Sequence, residues 1–472
     1  MSSNSTNGTK LVKYFGLTTG IVLLISSIIG TGVYKKVAPM ALNLESPELV
    51  LLAWVLAGLV TLLGVLTVAE IAMLIPVSGG PFAYLREIYG EKMGYFYGWA
   101  SFACIQSAST ASIAYVFAHS LNAVVSLPIL GGEWETMTVL GIFTPFSNLG
   151  VKLVAVCLIL ILMAVNYRGV HQGGRVANVV TSIVIVSLFA IIIAALGFSD
   201  GSLANVTAES STYPPPVFEE NFGFIKALFL AMLAAFWAFE GWMNIGFVGD
   251  EIRNPTVNIP KILIIGILIV TGIYLLVNFS YLYVIPVDQM VEIAKQENTI
   301  AAVEVIRAFG GDGGVLAISV LIVITTLGCT NATILTAARV YYAMAEKGLF
   351  FKKAAVVHRK FHTPGNALIM FSIWACVLVF SGTFDQLTDM MVFAQFIFYG
   401  LVVYGVFVLR KKMPDAPRKY RVLGFPVVPI LFLLFCAVLL GNTLMQRPRE
   451  AGLGLLLIAL GTPFYFLFKR SK

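Results

Sequence analysis

Two short stretches hold the residues best suited to chemistry. The first, SSIIGTGVYKK (26–36), occupies the later half of an uncharged run from Tyr14 to Tyr34. The second, FEGWMNIG (239–246), interrupts an apolar run at 222–249 and contains an acid, Glu240. In both, glycines (Gly30 and Gly32, then Gly241) loosen what the flanking composition would make a continuous helix. Unwinding a helix inside a bilayer frees backbone N–H and C=O groups, which is tolerable only where protein or ligand satisfies them. A half-helix starting near Thr31 turns the positive end of its dipole towards the break, where a ligand carboxylate belongs. Carbonyls freed just before it, at Ile28 and Ile29, can accept from an ammonium group. One break therefore offers both poles of a zwitterion, and an amino acid fits it.

Glu240 is the acid that falls in the middle of an apolar run, and it sits on the second break. An ionised carboxylate at such a depth costs a few kcal/mol or more, so it marks a functional position by default. It can serve as proton carrier, as counter-ion to a cationic ligand, or as a neutral hydrogen-bond donor; the bland reading is a structural acid facing a polar cavity. Trp237, three residues earlier, is placed to lid a ligand at the break, although most aromatics in such chains pack or face lipid. Thr325 and Thr326 could ligate sodium together with carbonyls of the first break, or simply bond the backbone one turn back. Ser107, Ser109, Thr110 and Ser112 line a pocket or a helix interface. His119 reads as a satisfied helix histidine, His358 and His362 as members of a basic loop, and Glu70 as an acid within reach of water or a loop cation.

The elements that must position these residues are membrane helices. The chain has 472 residues, 58% hydrophobic and 12% charged, with mean hydropathy +0.89, about half the charged fraction of a soluble domain. Uncharged stretches of spanning length, about 20 residues, recur at 14–34, 49–69, 93–132, 179–198, 262–287, 313–338, 363–384, 390–409, 422–446 and 451–468. A shorter run at 153–167 and the interrupted one at 222–249 complete twelve spans. No cleavable leader is apparent, because the polar tail 1–13 leads into a full-length span. The five cysteines all fall in expected spans, without a CxxC pair, so neither a disulfide framework nor a zinc site is implied. The net charge of +7 lies mostly in alternate loops such as 347–360 and 410–421 and in the tails. By the positive-inside rule this orients the chain with both termini cytoplasmic, rather than pointing to nucleic acid.

Spans 1–5 (14–198) and 6–10 (222–409) are separated by the acidic, proline-containing stretch 199–223, and spans 11 and 12 (422–469) follow a basic loop. Five spans per half is odd, so the second half runs inverted relative to the first. Broken helices leading two inverted halves mark the binding site of a secondary transporter. Glycines for close packing alone account less well for breaks in matching positions. The expected fold is an all-α integral membrane domain, 1–472, of twelve transmembrane helices in a 5+5 inverted repeat plus two C-terminal helices.

Several longer segments carry a resemblance: IIGTGV (28–33), AEIAMLIPVSGGPFAYLREIYG (69–90), 236–278 from FWAFEGWMNIG onward, NATILTAARVYYAMAEKG (331–348) and PRKYRV with FPVVPILFLLFC (417–436). In this order they resemble the amino acid–polyamine–organocation transporters, and among them the L-type amino acid transporters and their bacterial relatives. The resemblance implies that a substrate carboxylate contacts backbone around Thr31 and Gly32, that the amino group contacts carbonyls at Ile28 and Phe239, and that Trp237 takes the place of a gating aromatic. Two departures stand out. Many members carry a lysine in span 5, where aligning 173–186 places Val184, so the coupling role of that lysine does not carry over and sodium-coupled or uncoupled operation gains ground. Where Glu240 stands, the family often has glycine and sometimes aspartate.

The resulting expectation is a plasma-membrane exchanger of neutral L-amino acids working by alternating access, without cofactor, nucleic-acid partner or disulfide-linked partner subunit. The last follows because the outer loop 127–150 lacks the cysteine that eukaryotic members use. The alternatives are a cationic amino acid or polyamine transporter, and a proton- or sodium-coupled symporter using Glu240. An ion channel would need a filter-like carbonyl ring or a repeated acidic pore motif, and a membrane enzyme a cluster of mid-membrane His, Asp or Cys; neither pattern is present.

Overall fold

The computed structural model describes residues 15–75, 79–140, 143–169, 173–207, 223–296 and 298–470. Helices dominate them, and no strand forms beyond two isolated bridges. Nine helices among these residues are long and apolar enough to cross a membrane, by length and composition. Three shorter apolar helices, Leu17–Ile28, Ser182–Phe198 and Gly365–Ser381, accompany them.

In chain order the elements that matter are α1 (Leu17–Ile28), α2 (Gly32–Lys35), α3 (Val37–Leu44), α4 (Pro47–Leu74), α5 (Gly80–Tyr89), α6 (Glu91–Asn122), α7 (Gly132–Thr136), α8 (Leu149–Tyr167), α9 (Gly173–Phe198), α10 (Gly223–Ala238), α11 (Pro255–Val284), α12 (Val287–Lys295), α13 (Ala301–Glu346), α14 (Gly365–Ser381), α15 (Phe384–Lys412), α16 (Val427–Gln446), α17 (Pro448–Ala459) and α18 (Gly461–Arg470). Apolar composition all round most of these helices leaves side chains for both a packed interior and a lipid-facing exterior. Leu, Ile and Val are accordingly found both fully buried and widely exposed on the same helices.

Three local features shape the interior. α6 contains a π-turn at Ser101–Ile105, which frees a carbonyl at Ala103 that Trp374 Nε1 takes as acceptor at 2.8 Å. α13 is two helices joined at a kink at Gly311 (φ 55°, ψ −158°). At one end of the bundle Glu70, fully buried near the end of α4, accepts from Arg410 (3.0 and 2.7 Å), Arg418 Nε (3.2 Å) and the Val422 amide (2.8 Å). Of the partners expected for Glu70, the structure shows cations: Arg418 of the loop and Arg410 in the last turn of α15. Beside it, burial first and the Glu70 charge second push the Tyr420 phenol up to about 12, and its Oη donates to Leu66 O at 3.0 Å.

Candidate functional site

The first glycine stretch is a true break. α1 ends at Ile28, Ile29 takes extended geometry (φ −72°, ψ 102°), and helix resumes at Gly32. The second is its counterpart: α10 ends at Ala238, 239–241 form a turn, and a 3-10 helix runs over Trp242–Glu251. The two breaks face each other. Ser27 Oγ bonds Gly241 O at 3.1 Å, and Tyr274 Oη of α11 lies 2.7 Å from Ala238 O and 3.2 Å from Ile28 O. One hydroxyl proton is thus shared between a carbonyl of each break, with Ala238 O the nearer acceptor.

Glycine is what lets the segments meet. A Cβ on Gly32 would lie 2.7 Å from both Cα and Cβ of Ala238, closer than packed carbons allow. Gly241 has φ +104°, and a Cβ there would overlap the Ser27 carbonyl. Gly30 differs, because the one atom within 4 Å of a Cβ there is Ile28 O at 3.9 Å, an ordinary contact. Thr31 adds a buried Oγ1 with no hydrogen-bond partner. Such a group costs about 1–3 kcal/mol unless a ligand or water meets it.

The remaining expected site residues fall into two groups. Trp237 is 6% exposed and its ring packs at 5.1 Å against Phe384, while Phe239 packs on Trp54 and Tyr274. Glu240 is partly exposed and accepts from Tyr399 Oη at 2.8 Å. One turn earlier on α15, Gln395 buries an Oε1 with no partner. Thr325 and Thr326 instead donate to Ile322 O at 2.9 and 2.7 Å, within their own helix. Val184 is buried, its carbonyl accepting from Ser187 Oγ, which in turn lies 2.9 Å from Tyr34 Oη. Ser107 and Thr110 also bond carbonyls of their own helix.

Charges to which the sequence reading gave no role lie beside the first break. Lys36, directly after α2, is fully buried, and its Nζ donates to Asp385 Oδ1 and Thr388 Oγ1, both at 2.7 Å. It also lies 4.6 Å from the Phe384 ring and 5.7 Å from the Trp237 ring. Lys35 Nζ is 2.9 Å from Nδ1 of the buried His119, which requires that nitrogen to be unprotonated when the ammonium donates. At the opposite end the start of the first broken helix is tied to the end of the second, with Arg253 N donating to Phe15 O at 2.8 Å. No group of three His, Cys, Asp or Glu placed to hold a metal ion occurs among the described residues.

A family model described as amino acid permease matches residues 15–462. The chain is 32% identical over 468 residues to a serine/threonine exchanger of Bacillus subtilis, covering 99% of this chain and 98% of the relative. It is 30% identical to the mouse b(0,+)-type amino acid transporter 1 (98% and 89%) and 29% identical to the human large neutral amino acids transporter small subunit 2 (98% and 81%).

Proposed function

The chain belongs to the amino acid permease family, and we propose that it exchanges L-amino acids, neutral ones foremost, across the plasma membrane by alternating access around its two helix breaks. The observation that carries this reading is the meeting of the breaks, held by Ser27, Tyr274 and the glycines at 32 and 241. In this mechanism the substrate carboxylate meets backbone at Thr31 and Gly32 and the orphan Thr31 hydroxyl. Its ammonium group takes over carbonyls at Ile28, Ile29 and Phe239, and Tyr274 gives up Ile28 O as it does. Substrate binding energy is spent on whichever gate must close, and Trp237 with Phe384 lids the site beneath the Lys36–Asp385 pair.

The architecture that goes with this is twelve spans, with 14–198 and 222–409 as inverted repeats, 422–469 appended, and the Glu70 end cytoplasmic with both termini. Breaks in the first and sixth apolar helices support the repeat, and the basic loops 347–360 and 410–421 support the orientation. The relatives' printed names, an exchanger and amino acid transporters, support exchange over a channel or an enzyme. With no cysteine in 127–150, the transporter works without a disulfide-linked partner.

Uptake of labelled alanine, serine, leucine, methionine, arginine and putrescine into proteoliposomes, empty or preloaded with unlabelled amino acid, tests the proposal. Exchange predicts uptake that requires preloading; equal uptake into empty vesicles removes it. A second reading has its own observation: Glu240, which accepts from Tyr399, and the unpartnered Gln395 oxygen both present acceptors, which suits a cationic or amine-bearing side chain. Loss of arginine and putrescine uptake alone in Glu240→Gln would favour that reading, and unchanged selectivity would remove it.

A further inference from the structure

At the Lys36 end of the bundle the structure carries two adjoining cavities. The larger, about 660 Å³, is lined by Glu135, Asn148, Asn298, Glu304 and Arg307 among others. The smaller, about 310 Å³, extends from Lys295 to Phe384, Asp385 and Arg447. Gln296 and Thr299 line both. The two thus adjoin along Gln296 and Thr299, and the smaller reaches Phe384, the ring that packs on Trp237.

The larger cavity has chemistry left over. Glu135 of α7 uses Oε1 to accept from the Asn148 amide at 2.7 Å, but its Oε2 is buried without a partner. Asn298, just before α13, donates through Nδ2 to Asn148 Oδ1 at 2.5 Å, and its Oδ1 is likewise buried and unpartnered. Both orphan acceptors are therefore anchored to one residue, Asn148. In the lining of the same cavity Arg307 is held to Glu304 through Nε at 3.0 Å, which leaves the terminal guanidinium nitrogens for an incoming acceptor. Two fixed acceptors, one of them anionic, and a guanidinium end complement a group carrying both ammonium and carboxylate. The volume falls within the usual range of small-molecule pockets, about 300–1,000 Å³, and far exceeds what a single ion fills.

We propose that this cavity is a second amino-acid site, lying outside the Lys36–Asp385 closure. Glu135 Oε2 and Asn298 Oδ1 receive the ammonium group and Arg307 receives the carboxylate. The site holds substrate next to the closed gate, and the smaller cavity carries it to Phe384 when the gate opens. This rests on the reading of the chain as an amino acid transporter. Few polar contacts and an open mouth make it weaker than the site at the breaks.

Equilibrium binding of tritiated L-serine and L-leucine to the full-length protein in lipid nanodiscs tests the assignment. A tight and a weak class of site are expected for at least one of the two. Glu135→Gln and Arg307→Gln should each weaken the second class by about tenfold, the usual worth of one charge-assisted contact, and leave the first unchanged. Gly30→Leu should remove the tight class and spare the weak one. Arg307 is a half-exposed surface residue, so its variant stays informative if Glu135→Gln disturbs the loop. A single class of site, or a weak class that neither charge variant moves, overturns the second site while leaving the transport proposal standing. Binding of neither amino acid overturns both.

Discussion

Lys36→Met should open the protein towards the smaller cavity, and its effect can be worked from the contacts. Lys36 Nζ makes two charge-assisted hydrogen bonds at 2.7 Å, to Asp385 and Thr388. Such bonds contribute about 1.5–3 kcal/mol each when both partners are buried. Here the Asp385 side chain is 47% exposed and that of Lys36 1%, so the carboxylate rehydrates once the lysine is gone. Thr388 already donates to Asp385 O at 2.9 Å. Neither acceptor is stranded, and about 1.5 kcal/mol is the right size for the pair of bonds. Loss of the ammonium over the Phe384 and Trp237 rings adds about 0.5 kcal/mol, while methionine preserves the stem packing. If these contacts exist only with the gate shut, a sum of about 2 kcal/mol shifts the open-to-shut ratio roughly thirtyfold. A cysteine at Thr31, buried at the first break on the inner side of the pair, placed in a background without the five native cysteines, reports that ratio. Its labelling rate by a membrane-impermeant maleimide should rise roughly thirtyfold in Lys36→Met. An unchanged rate would refute the gating role of the pair. Asp385→Asn should act more strongly than Lys36→Met, because it leaves a fully buried lysine uncompensated, and the double variant should fall short of the sum of the two.

Two further outcomes follow from contacts elsewhere. Glu70→Ala strands Arg418 and the Val422 amide and should cost about 3 kcal/mol, read as a lower unfolding midpoint by fluorescence-detected size exclusion; a midpoint equal to the parent's would show the network to be dispensable. Tyr274→Phe removes one hydroxyl from two carbonyls and should cost about 1 kcal/mol in stability, with a larger fractional loss of exchange than of midpoint because the lost contact sits at both breaks.

Much of the fold could be read from the chain because membrane helices advertise themselves by length and lack of charge. The positions of both breaks were equally legible, since Gly30-Thr31-Gly32 and Glu240-Gly241 interrupt otherwise uniform runs. Tyr274, which binds the breaks together, was not. It lies inside an apolar helix among other aromatics, and only the packing of α11 against both breaks gives its hydroxyl a role. Lys36 and Asp385 were missed for a different reason. They sit 349 positions apart at the edges of apolar runs, where charges are ordinary, and sequence offers no sign that a lysine at such an edge is fully buried. Thr325 and Thr326 show the converse. Adjacent hydroxyls in a span suggest an ion ligand, yet helical geometry puts the carbonyl one turn back within reach of both, and they take it.

The three glycines of the breaks divide into two tasks that the residue type alone conceals, and this yields a test that separates architecture from ligand space. Gly32 is where backbone meets backbone, so even a methyl must push Ala238 aside. Overpacking against a main chain that cannot rotate away costs about 1–3 kcal/mol, and Gly32→Ala should lower the unfolding midpoint and exchange together. Gly30 has room for a Cβ, with only Ile28 O within 4 Å of it, at 3.9 Å. Alanine, valine and leucine at position 30 should therefore leave insertion and the unfolding midpoint nearly unchanged. They should raise the KM for exchange in order of size, because each occupies volume that substrate needs. If Gly30→Leu exchanged with the parent's KM, the room beside Gly30 would not be the substrate's, and the zwitterion site at the first break would have to be abandoned. If Gly30→Ala lost stability as Gly32→Ala does, flexibility of the unwound segment, not room for a ligand, would be the reason for the glycine.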